Sequence, residues 1–140
     1  MSSDFYVSDD GNLVIYGGYT NDNGGTDVGA LVCTVFHNGS WSRSWIYQKY
    51  SGWQNVTGYS YIQDNGNSGN HVRFGTCLSI SENEEYFAIG GLNGETNQNG
   101  VVFLAQADRN NLSNGKVNRL TPKAILFPSA SDPGIFDGTD

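Results

Sequence analysis

The sequence predicts an all-β protein, and three observations support this prediction. Short apolar runs are separated by glycine, asparagine and aspartate, which is typical of strands joined by tight turns. No stretch shows convincing helical periodicity with caps. The chain also repeats itself, because residues 8–19 (SDDGNLVIYGGY) return as residues 81–92 (SENEEYFAIGGL), each followed by a polar loop and a further apolar run. Such a repeat predicts stacked or radially arranged units that cannot close a core alone.

The repeat divides the chain into a first unit, residues 1–70, and a second unit, residues 71–140. Gly17 and Gly90 lie 73 positions apart in the two units. The whole chain of 140 residues has the length of one ordinary domain. We therefore expect one domain made of two units, each too small to close its own core.

The first unit contains four expected strands. The turn at residues 9–12 (DDGN) joins the first two, because Asp and Asn tolerate the left-handed region and Gly adopts it freely. The second and third strands are apolar on both faces, which indicates burial between neighbours. Gly17 and Gly18 end the second strand and permit close backbone approach, and the Asn-Gly pair at residues 38–39 predicts a hairpin. The expected strands are residues 4–8, 13–16, 29–36 and 41–50.

The second unit repeats this plan. Residues 82–85 form the turn, Gly90 and Gly91 close the strand that follows, and a polar loop precedes the next strand. Residues 108–115 form a turn region before a last, looser strand. Residues 51–70, between the units, are expected to be a long connection. The expected strands are residues 71–81, 86–89, 100–107 and 117–127.

The composition argues against several classes of partner. The net charge is −7, with seven Lys and Arg residues and no basic cluster. Nucleic-acid binding needs a basic stripe that displaces counterions from phosphate, so we expect neither a nucleic-acid nor an anionic-membrane partner. No apolar run approaches the ~20 residues of a membrane helix, so no membrane insertion is expected. Residues 1–4 do not resemble a signal peptide.

The cysteines and histidines do not predict a metal site. There is no CxxC spacing, and a zinc site needs about four closely placed ligands. Cys33 and Cys77 each lie in an apolar run, so we expect two buried free thiols that fill small core positions. A disulfide between them is the open alternative. No cofactor is expected.

The sequence shows no catalytic constellation. His37 and His71 fall in no recognisable motif, and the acidic pairs at residues 9–10 and 84–85 lie in turns, where carboxylates are normally solvated. The chain carries no nucleophile-elbow, phosphate-loop or dinucleotide motif. We therefore expect that the protein is not an enzyme, and a hydrolase is kept as a third hypothesis.

The second unit resembles the FG-GAP repeat, which is the blade unit of integrin-α-like β-propellers. Phe74 and Gly75 stand at the Phe-Gly pair of that motif, and residues 90–92 (GGL) stand where its Gly-Ala-Pro-like tripeptide belongs. In the first unit, residues 17–19 (GGY) occupy the tripeptide position. The resemblance covers most of both units and implies two propeller-type blades of antiparallel strands. It also favours an extracellular, cell-surface or virion location.

The calcium loop of this family should fall at residues 9–12 and 82–85. Both segments are short hairpin turns, too tight to offer the six or more oxygen ligands that Ca²⁺ takes. We therefore do not transfer calcium binding, and no metal is expected. The polar loop that carries Asp22 and Asp27 is a weak candidate for a cation site, because turn chemistry explains its composition equally well.

Two blades cannot close a ring, because a propeller typically needs about four to eight. The first unit lacks the Phe-Gly pair, whereas residues 136–139 (FDGT) resemble residues 74–76 (FGT) with one residue inserted. This predicts that the tail supplies the first strand of another copy's first blade, so that three copies make six blades. The alternative is that further chain of a longer protein completes the ring.

Aromatic residues crowd the end of the first unit, beside Asn, Gln and Ser. Flat aromatic faces with polar neighbours suit sugar rings and protein hot spots, although packing between blades accounts for them as well. The first hypothesis is a non-catalytic module that recognises a glycan or protein at a surface. The second is a structural subunit of a virion or surface layer, which packs on neighbouring subunits. The contacts expected for the first hypothesis are Trp41, Trp45, Trp53 and Tyr59.

Overall fold

In this computed structural model, the described part of the chain forms two antiparallel four-stranded sheets and one small two-stranded hairpin. The structure describes residues 4–18, 29–48, 53, 56, 73–92, 100–110, 112–113, 115–117 and 119–126. These residues contain no helix, and hence none that is long and apolar enough to cross a membrane. The prediction of an all-β protein is confirmed.

The first sheet is a meander in which each strand pairs with the next along the chain. Its strands are β1 (Phe5–Val7), β2 (Leu13–Gly17), β3 (Ala30–His37) and β4 (Ser40–Gln48). β1 and β4 lie at the two edges. Phe5 stands opposite Tyr16 and Phe36 stands opposite Trp41. All four strands expected in the first unit are therefore present.

The second sheet repeats this meander with one insertion. Its elements in chain order are β5 (Leu78–Ile80), β6 (Tyr86–Leu92), β7 (Gly100–Ala107), β8 (Leu112–Ser113), β9 (Lys116–Val117) and β10 (Leu120–Leu126). β5, β6, β7 and β10 form the sheet in that spatial order, while β8 and β9 form a separate small hairpin between β7 and β10. The hairpin at residues 112–117 begins halfway through the predicted turn region, and the last strand begins at Leu120 and not at residue 117.

The repeat in the sequence is also a repeat of hydrogen bonds. In the turn before β2, the Ser8 hydroxyl donates to Asp10 Oδ1 over 2.6 Å and accepts from the backbone N–H of Leu13 over 3.0 Å. In the turn before β6, the Ser81 hydroxyl makes the same two bonds, at 2.8 and 2.9 Å, with the residues 73 positions further along. A serine side chain that bonds its own turn in this way satisfies backbone groups that no strand partner reaches.

The two sheets enclose one apolar core. Its centre is aromatic, because the ring of Phe74 packs edge-on against Phe103 with centroids 4.9 Å apart, and Trp53 packs on both. Edge-to-face ring pairs are favourable beyond the area they bury. Neither unit buries its apolar strands alone, as the repeat predicts. The other buried members are Leu13, Ile15, Leu31, Cys33, Val35, Phe87, Ile89, Val101, Ala105, Ala107, Val117, Leu120 and Ile125.

Glycines let the second unit approach the first sheet closely. A parallel bridge joins Gly29 to Phe74, and the backbone of Gly75 lies directly against Gly17. A Cβ atom at Gly17 would fall well inside contact distance of the Gly75 carbonyl oxygen, and one at Gly29 would clash with the backbone of Phe74. The Phe-Gly pair of the second unit therefore packs directly against the backbone of the first unit, at the glycine that ends β2 and at Gly29.

Polar contacts also join the first unit to the second. The Asp4 carboxylate accepts a hydrogen bond from the backbone N–H of Leu78 over 3.1 Å, and the Lys116 ammonium pairs with the Asp10 carboxylate. The Lys116 ammonium, together with the Ser8 hydroxyl, holds the pKa of Asp10 well below its usual range. These contacts place β1 and the turn before β2 against the second unit.

The contact between Tyr6 and Glu84 predicts a loss of stability at high pH. The Tyr6 hydroxyl donates to Glu84 Oε1 over 2.9 Å, and burial together with this carboxylate raises the pKa of Tyr6 to about 12. A folded-state pKa above the ordinary value of 10 favours the neutral phenol. The contribution of Tyr6 to stability is therefore complete below about pH 10 and lost as the pH rises from about 10 to about 12.

We expect the wild-type chain to lose more unfolding free energy between about pH 9 and about pH 11 than the Tyr6→Phe variant does, because the phenylalanine ring has no proton to lose. Urea unfolding at the two pH values measures the difference. Tyr16→Phe is the matched control, since Tyr16 is an exposed tyrosine in the adjacent strand. Equal losses in wild type and Tyr6→Phe would contradict the proposed role of the hydrogen bond.

Two more strand boundaries of the second unit differ from the prediction. Residues 71–81 were expected to form one strand, but β5 begins only at Leu78 because Gly75 has a φ of +88° and the chain turns there to reach the first sheet. Gly90 and Gly91 were expected to close a strand, but both lie inside β6 and pair with β7. Strand β6 is therefore longer than predicted.

The two cysteines differ from each other in burial. No disulfide joins Cys33 to Cys77, so that alternative is wrong. Cys33 is buried as expected, whereas Cys77 is exposed, so the prediction of a core position is wrong for Cys77. The Cys77 sulfur occupies the space that a Cβ on Gly90 would need, which explains the glycine at that position in β6.

Several predictions fall outside the described residues. They concern the tail at residues 136–139, the boundary between residues 70 and 71, the polar loop with Asp22 and Asp27, and Tyr59. These remain predictions.

Candidate functional site

The side of the first sheet that faces away from the core is also largely apolar. Side chains alternate between the two sides of a strand, and on β2 Ile15 is buried in the core while Tyr16 is exposed. The strand register places the exposed apolar residues of all four strands on this outward side. We call it the aromatic face. Its exposed apolar members are Phe5, Val7, Tyr16, Phe36 and Trp41.

A pair of rings forms one end of the aromatic face. Phe36 and Trp41 stand opposite each other across the β3–β4 hairpin, with centroids 5.3 Å apart and ring planes tilted by 52°. Asn38 and Gly39, which connect the strands, have φ values of +49° and +79°, as an Asn-Gly hairpin turn requires. The Trp41 side chain is 52% exposed, so much of its surface is open to a partner.

The other end of the aromatic face lies on the edge strand β1. Phe5 is 72% exposed and stands opposite Tyr16, and Val7 follows on the same side of the strand. Soluble monomers rarely expose a contiguous apolar patch of this kind unless it binds something. Aromatic side chains also dominate the energetics of protein interfaces. The aromatic face is therefore the candidate functional site.

Polar groups are few on the described part of this face. Thr34 and Arg43 stand opposite each other across β3 and β4, and the Thr34 hydroxyl donates to the carbonyl oxygen of Val14 over 3.2 Å. The exposed His37 lies at the hairpin end of β3. The guanidinium of Arg43 can therefore supply charged hydrogen bonds beside an otherwise apolar surface.

The structure places the predicted contact residues in different environments. Trp41 lies on the aromatic face, but Trp53 is fully buried against Phe74 and Phe103. An enclosed ring offers no surface to a ligand, so we leave Trp53 out of the candidate site. Trp45 lies in β4 opposite Cys33, with only its backbone described.

Sequence reasoning missed the other aromatic members of the site. Phe5, Tyr16 and Phe36 lie in strands that were recognised correctly, but their side chains were not considered as contacts. The available signal was that β2 and β3 are apolar on both sides, which indicates a second covered face. The structure shows that one of these sides faces the core and the other is the aromatic face.

The second sheet has an outward side of its own, built from smaller residues. Ala88 pairs with Leu104, and Val102 pairs with both Gly90 and Leu126. Tyr86, Val102 and Leu126 are exposed there, while Ala88 and Leu104 are half-buried. We call this side the outer face of the second sheet.

Within the described residues, no group of three or more His, Cys, Asp or Glu side chains is placed to hold a metal ion. The turn at residues 9–12 is where the calcium loop of the FG-GAP family would fall. There the carboxylate of Asp10 meets the ammonium of Lys116. A cationic side chain of the protein itself therefore contacts the carboxylate in this turn.

Comparison of the chain with models of protein families, with curated proteins and with solved structures gave no significant match.

Proposed function

We propose that this protein is a non-catalytic recognition module built from two propeller-type blades, and that it binds the surface of another protein through the aromatic face. The observation that carries the proposal is the exposure of apolar side chains on all four strands of the first sheet. Covering such a face is favourable by about 25 cal/mol for each Å² of apolar surface removed from water. Rigid, exposed rings also lose little conformational entropy on binding.

The arrangement of strands supports the assignment of blades. Each unit is a four-stranded antiparallel meander, and the turns that begin the second strand of each sheet share one hydrogen-bond pattern. The Phe-Gly pair of the second unit packs on the glycines of the first. In this proposal the two sheets are consecutive blades, and further chain or further copies complete the ring.

The chemistry of the aromatic face favours a protein partner over a glycan. A sugar site combines an aromatic platform with several polar groups that hydrogen-bond the hydroxyls. Among the described side chains of this face, apolar ones dominate the exposed surface, and Arg43 and Thr34 are polar neighbours within the sheet. A protein partner with its own apolar patch is the better match for such a surface.

The proposal is tested by selecting binders from a phage-displayed library of random peptides on the immobilised full chain. We expect the recovered peptides to bind the wild type at least about tenfold more tightly than a Phe5→Ser, Trp41→Ser double variant, because aromatic anchors carry most interface energy. An Asn110→Ser variant, changed at an exposed turn away from the aromatic face, is the control and should bind like the wild type.

A glycan array probed with the same three proteins separates the two partner classes. Glycan binding by the wild type that is lost in the double variant would show that the partner of the aromatic face is a glycan and not a protein. Peptide binding that is equal in all three proteins, with no glycan bound, would overturn the assignment of the aromatic face as a recognition surface.

A further inference from the structure

We infer that the aromatic face binds a second copy of this chain, which docks through the outer face of its second sheet. This inference rests on the proposed function and names the partner of the same surface. It follows from the way in which the two sheets of one chain already pack against each other.

The hydrogen bonds give each position of the second sheet a counterpart in the first. Ser8 and Ser81 begin equivalent turns, so β2 and β6 correspond with an offset of 73 positions. The backbone N–H groups of Phe36 and Ala107 bond to the carbonyl oxygen of the residue just before β2 and β6, respectively. Strands β3 and β7 therefore correspond with an offset of 71 positions.

Residues that face the core from the first sheet have counterparts on the outside of the second. Ile15 and Cys33 are fully buried between the sheets. Their counterparts, Ala88 and Leu104, pair with each other on the outer face of the second sheet. The outer face therefore occupies the positions that the first sheet uses to cover its neighbour.

The converse holds for the aromatic face. Ile89 and Leu120 of the second sheet are buried against the first sheet. Their counterparts are Tyr16 on β2 and Trp41, which stands opposite Phe36 just as Leu120 stands opposite Ala107. The aromatic face therefore occupies the positions that the second sheet buries against the sheet before it.

The two sheets therefore stack in the same sense. The side of the first sheet that contacts the second sheet corresponds to the outer face of the second sheet, and the side of the second sheet that contacts the first corresponds to the aromatic face. One chain makes this contact once, so its aromatic face and the outer face of its second sheet both keep exposed apolar residues. Unlike faces of two copies can meet in the way that the two sheets of one chain meet. A contact between unlike faces is heterologous, so it closes into a ring or extends into a chain of copies rather than stopping at a symmetric dimer.

Gly100 provides a second observation. Its counterpart in the first sheet is Gly29, where the backbone of Phe74 leaves no room for a Cβ atom. Around Gly100, no atom of the described residues lies within 4 Å of the Cβ position. The second sheet thus has a glycine at a place where the first sheet needs one to receive a neighbouring segment, and no described residue fills the space beside it.

The test uses two variants that each block one face of the full chain. Tyr16→Asp places a carboxylate on the aromatic face, and Val102→Asp places one on the outer face of the second sheet. Both positions are exposed in the single chain, so circular dichroism should show folded proteins. Asn110→Asp, which adds the same charge at an exposed turn, is the control.

Sedimentation velocity over a concentration series should show that the wild type and Asn110→Asp associate. Each blocked variant alone should associate at least about a hundredfold more weakly, because an unpaired carboxylate would be buried. An equal mixture of the two blocked variants should form a dimer with one copy of each, since each still carries the face that the other lacks. That dimer has no usable faces left and should not grow.

Other results overturn the inference. A blocked variant that still dimerises alone would show that like faces meet. Wild-type chain that stays monomeric would show that the partner is not a second copy, and binding of displayed peptides to the aromatic face would then leave the proposed function in place. If both blocked variants associated as strongly as the wild type, neither the aromatic face nor the outer face of the second sheet would take part in the contact between copies.

Discussion

Replacing Gly17 with alanine is expected to lower the free energy of unfolding by about 3 kcal/mol or more. The added Cβ would lie well inside contact distance of the Gly75 carbonyl oxygen. Inserting atoms into a packed site typically costs about 1–3 kcal/mol and occasionally more. The atom in the way here belongs to the backbone, which cannot rotate aside as a side chain could. Urea unfolding followed by circular dichroism measures the loss.

Gly18→Ala is the matched control for this experiment. The adjacent glycine has nothing within 4 Å of its Cβ position and does not have a positive φ. Its substitution should change the unfolding free energy by less than about 0.5 kcal/mol. If both variants were equally unstable, the loss would come from the end of β2 itself, and the contact between Gly17 and Gly75 would not be its cause.

Truncating Phe74 to alanine is expected to cost about 3–5 kcal/mol of unfolding free energy, as is typical for a buried phenylalanine. The Phe74 ring is fully enclosed, with the Phe103 ring centroid 4.9 Å and the Trp53 centroid 6.2 Å away. These residues come from both sides of the contact between the units, so a cavity there removes packing that holds the sheets together. Denaturant unfolding again provides the measurement.

Phe5→Ala provides the comparison, because it removes the same side chain from a site that is 72% exposed. At concentrations where the chain is monomeric, its effect should stay within about 0.5 kcal/mol. Both variants remove the same side chain, so the difference between their losses of unfolding free energy measures the effect of burial. A loss below about 1 kcal/mol for Phe74→Ala would show that the aromatic centre is not a tightly packed core.

The strands and turns of this protein were largely predictable because their signals are local. The turns at residues 9–12 and 82–85 form as expected, since the serine just before each turn accepts a hydrogen bond from a backbone N–H only five positions further along. Strand β7 has the predicted limits. The segment before β5 was mispredicted because its path is set by the distant contact of Gly75 with Gly17, for which residues 71–81 carry no periodic signal.

The candidate site was less predictable than the fold. Trp41 and Trp53 lie in the same aromatic stretch, yet one is exposed on a sheet and the other is enclosed in the core. Composition cannot separate them, because burial depends on which side of the first sheet receives the second. Cys77 was mispredicted for the same reason, since it lies in an apolar run but outside the enclosed volume.

The polar contacts between the units have a consequence for the folding of this protein during its synthesis. The hydrogen bond from Leu78 to Asp4 spans 74 positions, and the contact of Lys116 with Asp10 spans 106. Contacts between distant residues form slowly because a long loop must close first. At ~5–20 residues per second, the ribosome needs roughly 4 to 15 seconds to add the 74 residues that separate Asp4 from its partner. Until the second unit has been made, the buried residues that the first sheet contributes to the core lack the residues that cover them, so the nascent chain exposes apolar surface that favours aggregation.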